Sequence, residues 1–294
     1  MKRLSTLLAI VVLSFGCEEI PPVITPVMQV ESICDEPAPI TDQQRQVLVE
    51  EFTGVRCVNC PAGSAALEEL IGQHGDQLVA VSIHAGSFAP PYPESFDTLR
   101  TAKGEEILSF VGEPLGYPTA VVNRKKFPGG FNLQLPRNGW PGAIEQELQE
   151  DPRVLIDIKN NYDEATRELE TCVTLQMMDD LSVEESVFLT VMLIENNVVD
   201  LQLTPESSEP DPNYVHKHVF RDVLTSAAGN LIQDEVTAGS FVQQSFAITL
   251  KEKYKADDCS IIAFVHLGGV VGLFLQKMLI GGMQPGKTVK ATHE

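Results

Sequence analysis

Cys57 and Cys60 stand three positions apart in EEFTGVRCVNCPAG (50–63), where an apolar run gives way to helical spacing. A C-x-x-C pair between a strand and a helix can carry out thiol–disulfide exchange. Unpaired N–H groups and the dipole at a helix N-terminus favour an anion there, which makes Cys57 the expected attacking thiolate. Cys60, one turn on, would resolve the mixed disulfide, and Arg56 adds positive charge beside the nucleophile. Glu51 precedes Cys57 by six residues; partly buried, it could exchange protons with Cys60, whereas at a solvated strand end it would be only a surface carboxylate. Two other uses of the pair stay open, a structural disulfide and half of a zinc site. Zinc is disfavoured because a structural site needs four ligands and no second cluster is suitably placed. No metal and no other cofactor is expected.

Other candidates lie downstream. Pro118 in GYPT opens a strand, and a cis proline there would face the cysteines with its neighbour's backbone free to pair with an extended peptide. Tyr117, Pro118 and Thr119 are therefore candidate substrate-binding residues. His84 ends a strand parallel to the first, at the sheet end where α/β proteins place their sites. It reads first as a loop anchor and second as a substrate contact. Arg124 reads as a structural ion-pair partner. His216 and His218 share one strand face without a carboxylate pattern nearby, which reads as an edge-strand surface. Cys172 falls on the polar parity of its strand, so a disulfide is expected, with Cys259 the preferred partner and Cys34 the alternative.

The elements that must position these groups fall into two textures. Val47–Phe52, Gln77–His84 and Gly116–Arg124 read as strands; Ala66–Ile71, Thr98–Val111 and Gly142–Glu150 read as helices. The order β-α-β-α-β-α implies a sheet with parallel members and helices on its faces. Beyond Asp151–Pro152 the signals are of strands and of one long acidic, proline-bearing loop, TPESSEPDPN (204–213): the alternation at Val154, Ile156 and Ile158, again from Leu169 to Met177, then Phe246 to Leu250, with more continuous runs at 186–194, 261–267 and 270–280. Roughly seven strands indicate an antiparallel sandwich. The expected fold class is an α/β thioredoxin-like domain (46–151) followed by an all-β, sandwich-like domain (152–294).

The N-terminus reads as processing. Lys2 and Arg3 precede a short apolar run, Leu7–Leu13, well short of the ~20 residues needed to span a bilayer. Residues 1–16 are thus a signal peptide, and Gly16–Cys17 resembles a bacterial lipoprotein signal, which implies lipidation of Cys17. Residues 17–45, with Pro21, Pro22, Pro26, Pro37 and Pro39, read as a semi-rigid tether. The chain is expected to be exported to a compartment where disulfides persist. A formal charge of -20 over 294 residues repels phosphate backbones and anionic lipid surfaces, so nucleic acid is excluded as a partner and the membrane is reached through the lipid.

VEEFTGVRCVNC resembles the strand, acid, aromatic and C-x-x-C entry of thioredoxins and protein disulfide isomerases, and GYPT resembles their cis-proline segment. With SIHAGSFA and GYPTAVVNR, these segments are similar to the outer-membrane lipoproteins related to the twenty-eight-kilodalton outer membrane protein. The resemblance covers nearly the whole chain and is most specific over residues 47–124. It implies a signal peptide, a thioredoxin-like domain, a β-rich domain and a place in the bacterial outer membrane as a lipoprotein. The chain departs from the thioredoxin pattern at Val55–Arg56, where a tryptophan is usual, and at Val58–Asn59, a dipeptide that influences reduction potential. The expected function is thiol–disulfide exchange on exported proteins carrying thiols or disulfides. The alternative is a non-enzymatic surface lipoprotein whose β domain binds a protein or glycan, with the thioredoxin-like half as scaffold.

Overall fold

The computed structural model describes residues 33–180, 186–232 and 236–267 in full, and the backbone of 233 and 274–280. The expected signal peptide, Cys17 and the first part of the tether lie outside the described residues. All described residues belong to one compact unit.

The first half holds β1 (Val47–Thr53), α1 (Cys60–His74), β2 (Leu78–His84), α2 (Ala102–Val111), β3 (Thr119–Val122), β4 (Leu135–Pro136) and α3 (Trp140–Glu147). β1 pairs parallel with β2, from Val47 opposite Leu78 to Thr53 opposite His84, and antiparallel with β3. Every residue of β1 and β2 is buried, which fits the mainly apolar run of β2 and the apolar start of β1, while Glu50 and Glu51 are buried carboxylates that need partners. Pro61 stands in the first turn of α1, where a missing N–H costs nothing. Thr101 caps α2, its hydroxyl accepting from the Gly104 amide at 2.9 Å. α1 and α3 cover one face of the sheet, Leu67, Leu70, Trp140 and Ile144 packing on Val47, Val49, Ala80 and Val122.

The second half adds β5 (Val154–Asp163), β6 (Glu168–Met177), β7 (Val187–Glu195), β8 (Val198–Gln202), β9 (Asp211–His216), β10 (Val219–Val223), β11 (Asn230–Gln233), β12 (Phe241–Thr249), β13 (Cys259–Leu267) and β14 (Phe274–Ile280). No α-helix occurs among its described residues. β12, β6 and β5 form a three-stranded antiparallel sheet whose Ile156, Ile158, Val173 and Leu175 pack on Leu189, Val191, Ile261 and Ala263 of β7 and β13. β8 and β9 form a separate hairpin.

One nine-stranded sheet runs β14-β13-β7-β10-β2-β1-β3-β4, with β11 beside β7. The junction between the halves is parallel: Val219 of β10 lies opposite Ser82 of β2, and the Ser82 amide donates to the His218 carbonyl at 2.7 Å. Helices stop near the boundary expected at residue 151, but the sheet does not. Met192, Phe220, Ile262 and Phe264 share one core with Ile83, Ile107 and Leu108. Truncating a buried Phe of this kind costs about 3–5 kcal/mol, so the halves stabilise one another through that core. Arg124 acts across the same junction. Its guanidinium donates to both Glu50 carboxylate oxygens at 3.0 and 2.9 Å and to the Ala227 carbonyl at 3.0 Å, with both side chains buried.

The cysteine pairing differs from the preferred expectation. Cys172 is bonded to Cys34, while Cys259 is a free, buried thiol. Burial pushes the Cys259 thiol up to about 12, which keeps it unreactive. Cys172 does lie on the face of β6 opposite its core residues, but what covers that face is the segment entering the fold. The Ile40 amide donates to Gln176 Oε1 at 2.6 Å, and Gln43 exchanges two hydrogen bonds with the Ile156 backbone at 2.8 and 2.9 Å. The described end of the expected tether, 33–45, is therefore not a free spacer: it covers β6 and caps the edge strand β5.

Candidate functional site

The Gly54–Cys60 loop leads from β1 into α1. Its Cys57 amide donates to the Gly54 carbonyl at 3.0 Å, and the Cys60 amide donates to the Cys57 carbonyl at 3.2 Å. This turn brings the two Cα atoms to 5.3 Å, and the sulfurs are joined as a disulfide. Neither cysteine is open to solvent, Cys57 being 3% and Cys60 1% exposed.

Two segments cover the pair. On one side a Cβ at Gly54 would stand 2.3 Å from the Phe88 carbonyl carbon, so only glycine allows that loop to close in. There the Arg56 amide donates to the Phe88 carbonyl at 3.0 Å. The Arg56 guanidinium donates to the carbonyls of Pro90 and Pro91 and stacks 4.4 Å over Tyr92, so it anchors the proline loop. On the other side lies the second half of the chain. The Leu203 amide donates to the Val55 carbonyl at 2.8 Å, and Gln202 Nε2 donates to the Cys57 carbonyl at 3.1 Å. Asp200, wholly buried in the middle of β8, accepts from the Phe96 and Asp97 amides at 3.2 and 2.9 Å.

Glu51 is not at a solvated strand end but fully buried, facing Ser82 of β2. Its carboxylate accepts from Ser82 Oγ at 3.0 Å and from Ser64 Oγ at 3.4 Å. Burial pushes its carboxyl up to about 7, against the two serine hydrogen bonds and with help from the nearby Glu68 charge. α1 comes close above it. A Cβ at Gly63 would meet the Pro118 ring at 2.6 Å and Glu51 Oε1 at 2.9 Å. The Tyr117–Pro118 peptide is cis. Tyr117 is half-buried, its ring edge-on to Phe88 at 5.5 Å, while Thr119 is turned inward, its hydroxyl donating to the Leu135 carbonyl at 2.9 Å.

A cavity of about 300 Å³ opens beside the pair, lined by Glu51, Cys60, His84, Gln202, Tyr214 and His216 among others. His84 is buried in its wall, with neither ring nitrogen hydrogen-bonded to protein, and its ring meets His216 edge-on at 5.3 Å. Burial, and then the neighbouring His216 and Arg221, hold the His84 imidazole well below its usual value; burial brings His216 down to about 4. Both rings are neutral at ordinary pH. Among the described residues no group of three or more His, Cys, Asp or Glu is placed to hold a metal.

His216 thus sits inside the cavity and not on an exposed edge strand. His218, at the rim, pairs with Glu68 at 2.8 Å; that bond and the one from Lys217 bring the Glu68 carboxyl down to about 2. The every-second-residue spacing of Tyr214, His216 and His218 was the available sign of a shared face. Gln202 had no such sign, because its role depends on where the hairpin docks.

The sequence profile described as "Outer membrane protein Omp28" matches residues 113–272, more than half of the chain. That stretch begins beyond the cysteine pair, so the family likeness rests on the β-rich half more than on residues 47–124. No curated protein matches the chain. HBP35 of Porphyromonas gingivalis has a similar fold, with a TM-score of 0.64 and 17% identity over 86% of this chain and 79% of that one. Protein AGR_C_4864 from Agrobacterium tumefaciens is similar at a TM-score of 0.52 and 12% identity, over 86% of this chain and 100% of that one. Among the described residues no helix is long and apolar enough to cross a membrane. On the extent of the profile match, the chain is a member of the Omp28 family of outer membrane proteins.

Proposed function

We propose that this outer membrane protein carries out thiol–disulfide exchange through Cys57 and Cys60, on exported proteins that carry thiols or disulfides. In this reading its first half is a thioredoxin-like unit, its second half a sandwich-like unit, and a lipid on Cys17 holds it to the membrane. The observation that carries the proposal is Glu51. A buried carboxyl with only two serine hydroxyls as partners weakens the fold whenever it is ionised. It has a chemical use here, because it shares a cavity with Cys60 and its carboxyl, brought to about 7, can both take and give a proton near neutrality.

Starting from the reduced pair, Cys57 thiolate attacks a substrate disulfide, forming a mixed disulfide and expelling the substrate's other sulfur as thiolate. Glu51 takes the Cys60 proton. Cys60 thiolate then attacks Cys57 Sγ, closing the internal disulfide and releasing the second substrate sulfur. Oxidation of a substrate dithiol is the same sequence in reverse. Cis-Pro118 stands beside α1, with Tyr117 before it against Gly86 and Phe88, and an extended substrate backbone would dock there. The purified protein is expected to reduce a model disulfide or oxidise a model dithiol, with Cys57→Ser inactive. Equal activity in that variant would overturn the assignment.

A second reading is favoured by one observation, the burial of both cysteines. In it the pair is a static staple and the β-rich half binds a protein or glycan partner. Partner binding retained in Cys57→Ser, together with a disulfide that never exchanges in the folded protein, would favour it.

A further inference from the structure

Gln202 is a polar side chain from the second half, 2% exposed, whose amide nitrogen donates to backbone carbonyls of the Cys57 loop and of its own neighbour. Its Nε2 donates to the Cys57 carbonyl at 3.1 Å and to the Leu203 carbonyl at 2.9 Å, with the Gly54 carbonyl at 3.5 Å. The next residue continues the contact through its main chain, the Leu203 amide donating to the Val55 carbonyl at 2.8 Å. Gly54, Val55 and Cys57 are thus held by two successive residues that close the β8 strand. A second anchor, Asp200 on the Phe96 and Asp97 amides, fixes the same strand two residues earlier.

We infer that Gln202 is a positioning residue of the cysteine pair: with Leu203 it straps the Cys57 loop closed, and exchange at Cys57 Sγ follows release of this strap. The inference rests on the proposed exchange reaction and adds to it a rate-limiting opening supplied by the β-rich half. Two features support release of the strap alone rather than unfolding. The strap ends in the loop 203–210, which carries Glu206, Glu209 and two prolines, and most of that loop is exposed. The hairpin also belongs to neither large sheet, β8 pairing among the described residues only with β9. With Asp200 still holding β8 two residues earlier, the Gln202 and Leu203 bonds can release while the hairpin and the nine-stranded sheet stay in place.

The test uses the full oxidised chain and dithiothreitol as the two-electron reductant. One reagent thiolate attacks Cys57 Sγ, giving a mixed disulfide and Cys60 thiolate, which takes up a proton. The second reagent thiol loses its proton and attacks the reagent sulfur held in the mixed disulfide, breaking that sulfur's bond to Cys57 Sγ and releasing Cys57 thiolate and the cyclic oxidised reagent. For a strapped pair the rate rises with reagent concentration and then levels off at the opening rate. Gln202→Met keeps the side-chain length and removes the donor. Losing hydrogen bonds worth about 1 kcal/mol each is expected to raise the rate at low reagent at least about fivefold. Gln202→Glu, which sets a carboxylate against the same carbonyls, is expected to raise it further. Reduction of Cys34–Cys172 in the same samples is the internal control, since a general loosening would speed both bonds. Hydrogen exchange at the Leu203 amide is expected to accelerate by the same factor as the Cys57–Cys60 reduction.

Equal rates in wild type and both variants, or a parallel rise at Cys34–Cys172, overturn the strap while leaving the exchange reading intact. If Cys57–Cys60 resists reduction in all three proteins until they unfold, both the strap and the exchange reading fall.

Discussion

Replacing Glu51 by glutamine should stabilise the protein, and do so only above a definite pH. Glu51 ionises near 4.5 in an unfolded chain and near 7 in the fold, where burial disfavours the anion. Between those values the folded protein holds a proton that the unfolded chain has lost. Stability therefore falls as pH rises from about 4.5 to about 7 and is level beyond. The full separation corresponds to about 3 kcal/mol. Glu51→Gln has no such proton, so its advantage over wild type is about 1 kcal/mol at pH 5 and about 3 kcal/mol at pH 8. Any loss or gain from the new amide's hydrogen bonds to Ser64 and Ser82 is common to both pH values. The signal is the change of about 2 kcal/mol between them. Urea unfolding of both proteins at pH 5 and pH 8, with the disulfides kept oxidised, measures it. Parallel stabilities, or a wild type that gains on the variant at high pH, would refute the account of Glu51 as a buried, proton-exchanging acid. The same variant should slow the resolution step, since Cys60 loses its base.

Three further substitutions probe the parts that hold the site. Breaking Cys34–Cys172, which spans a sequence separation of 138, should lower stability by up to about 5 kcal/mol on a chain-entropy account; an unchanged urea midpoint in Cys34→Ala would contradict the pairing. Arg124→Met leaves Glu50 buried and unpaired and should cost about 3–5 kcal/mol, measured the same way. Gly63→Ala places a Cβ against Pro118 and Glu51 and should cost about 1–3 kcal/mol while shifting the pH dependence attributed to Glu51. A fully stable variant with the wild-type pH profile would show that the helix is not seated there.

Much of the first half could be read from the chain, because its strands are buried on both sides and its helices carry local signals. β1, β2 and α2 begin or end within a few residues of their expected positions, and Glu51, Cys57 and Cys60 follow from local spacing. The second half is less legible where structure depends on docking. β8 and β9 lie in a segment rich in acids and prolines, so 204–213 reads as a loop. Its flanks nevertheless carry Gln202, Tyr214 and His216 into the cavity. The continuous sheet was equally hidden: Val219 meets Ser82 across a distance in sequence that no periodicity reports. Cys172 illustrates a half-correct inference. Strand parity showed that it needed a partner, but the choice between Cys259 and Cys34 turned on the course of residues 33–45, which proline content alone suggests are extended and free.

In the proposed function Cys57 and Cys60 exchange disulfides with other proteins. The most direct measurement is trapping with full-length Cys60→Ser, which can form a mixed disulfide through Cys57 but cannot resolve it. Non-reducing electrophoresis followed by identification of the adducts should recover dithiothreitol-sensitive complexes with exported proteins, absent from Cys57→Ser/Cys60→Ser. A folded Cys60→Ser protein that gives no adducts above that double variant would contradict the claim.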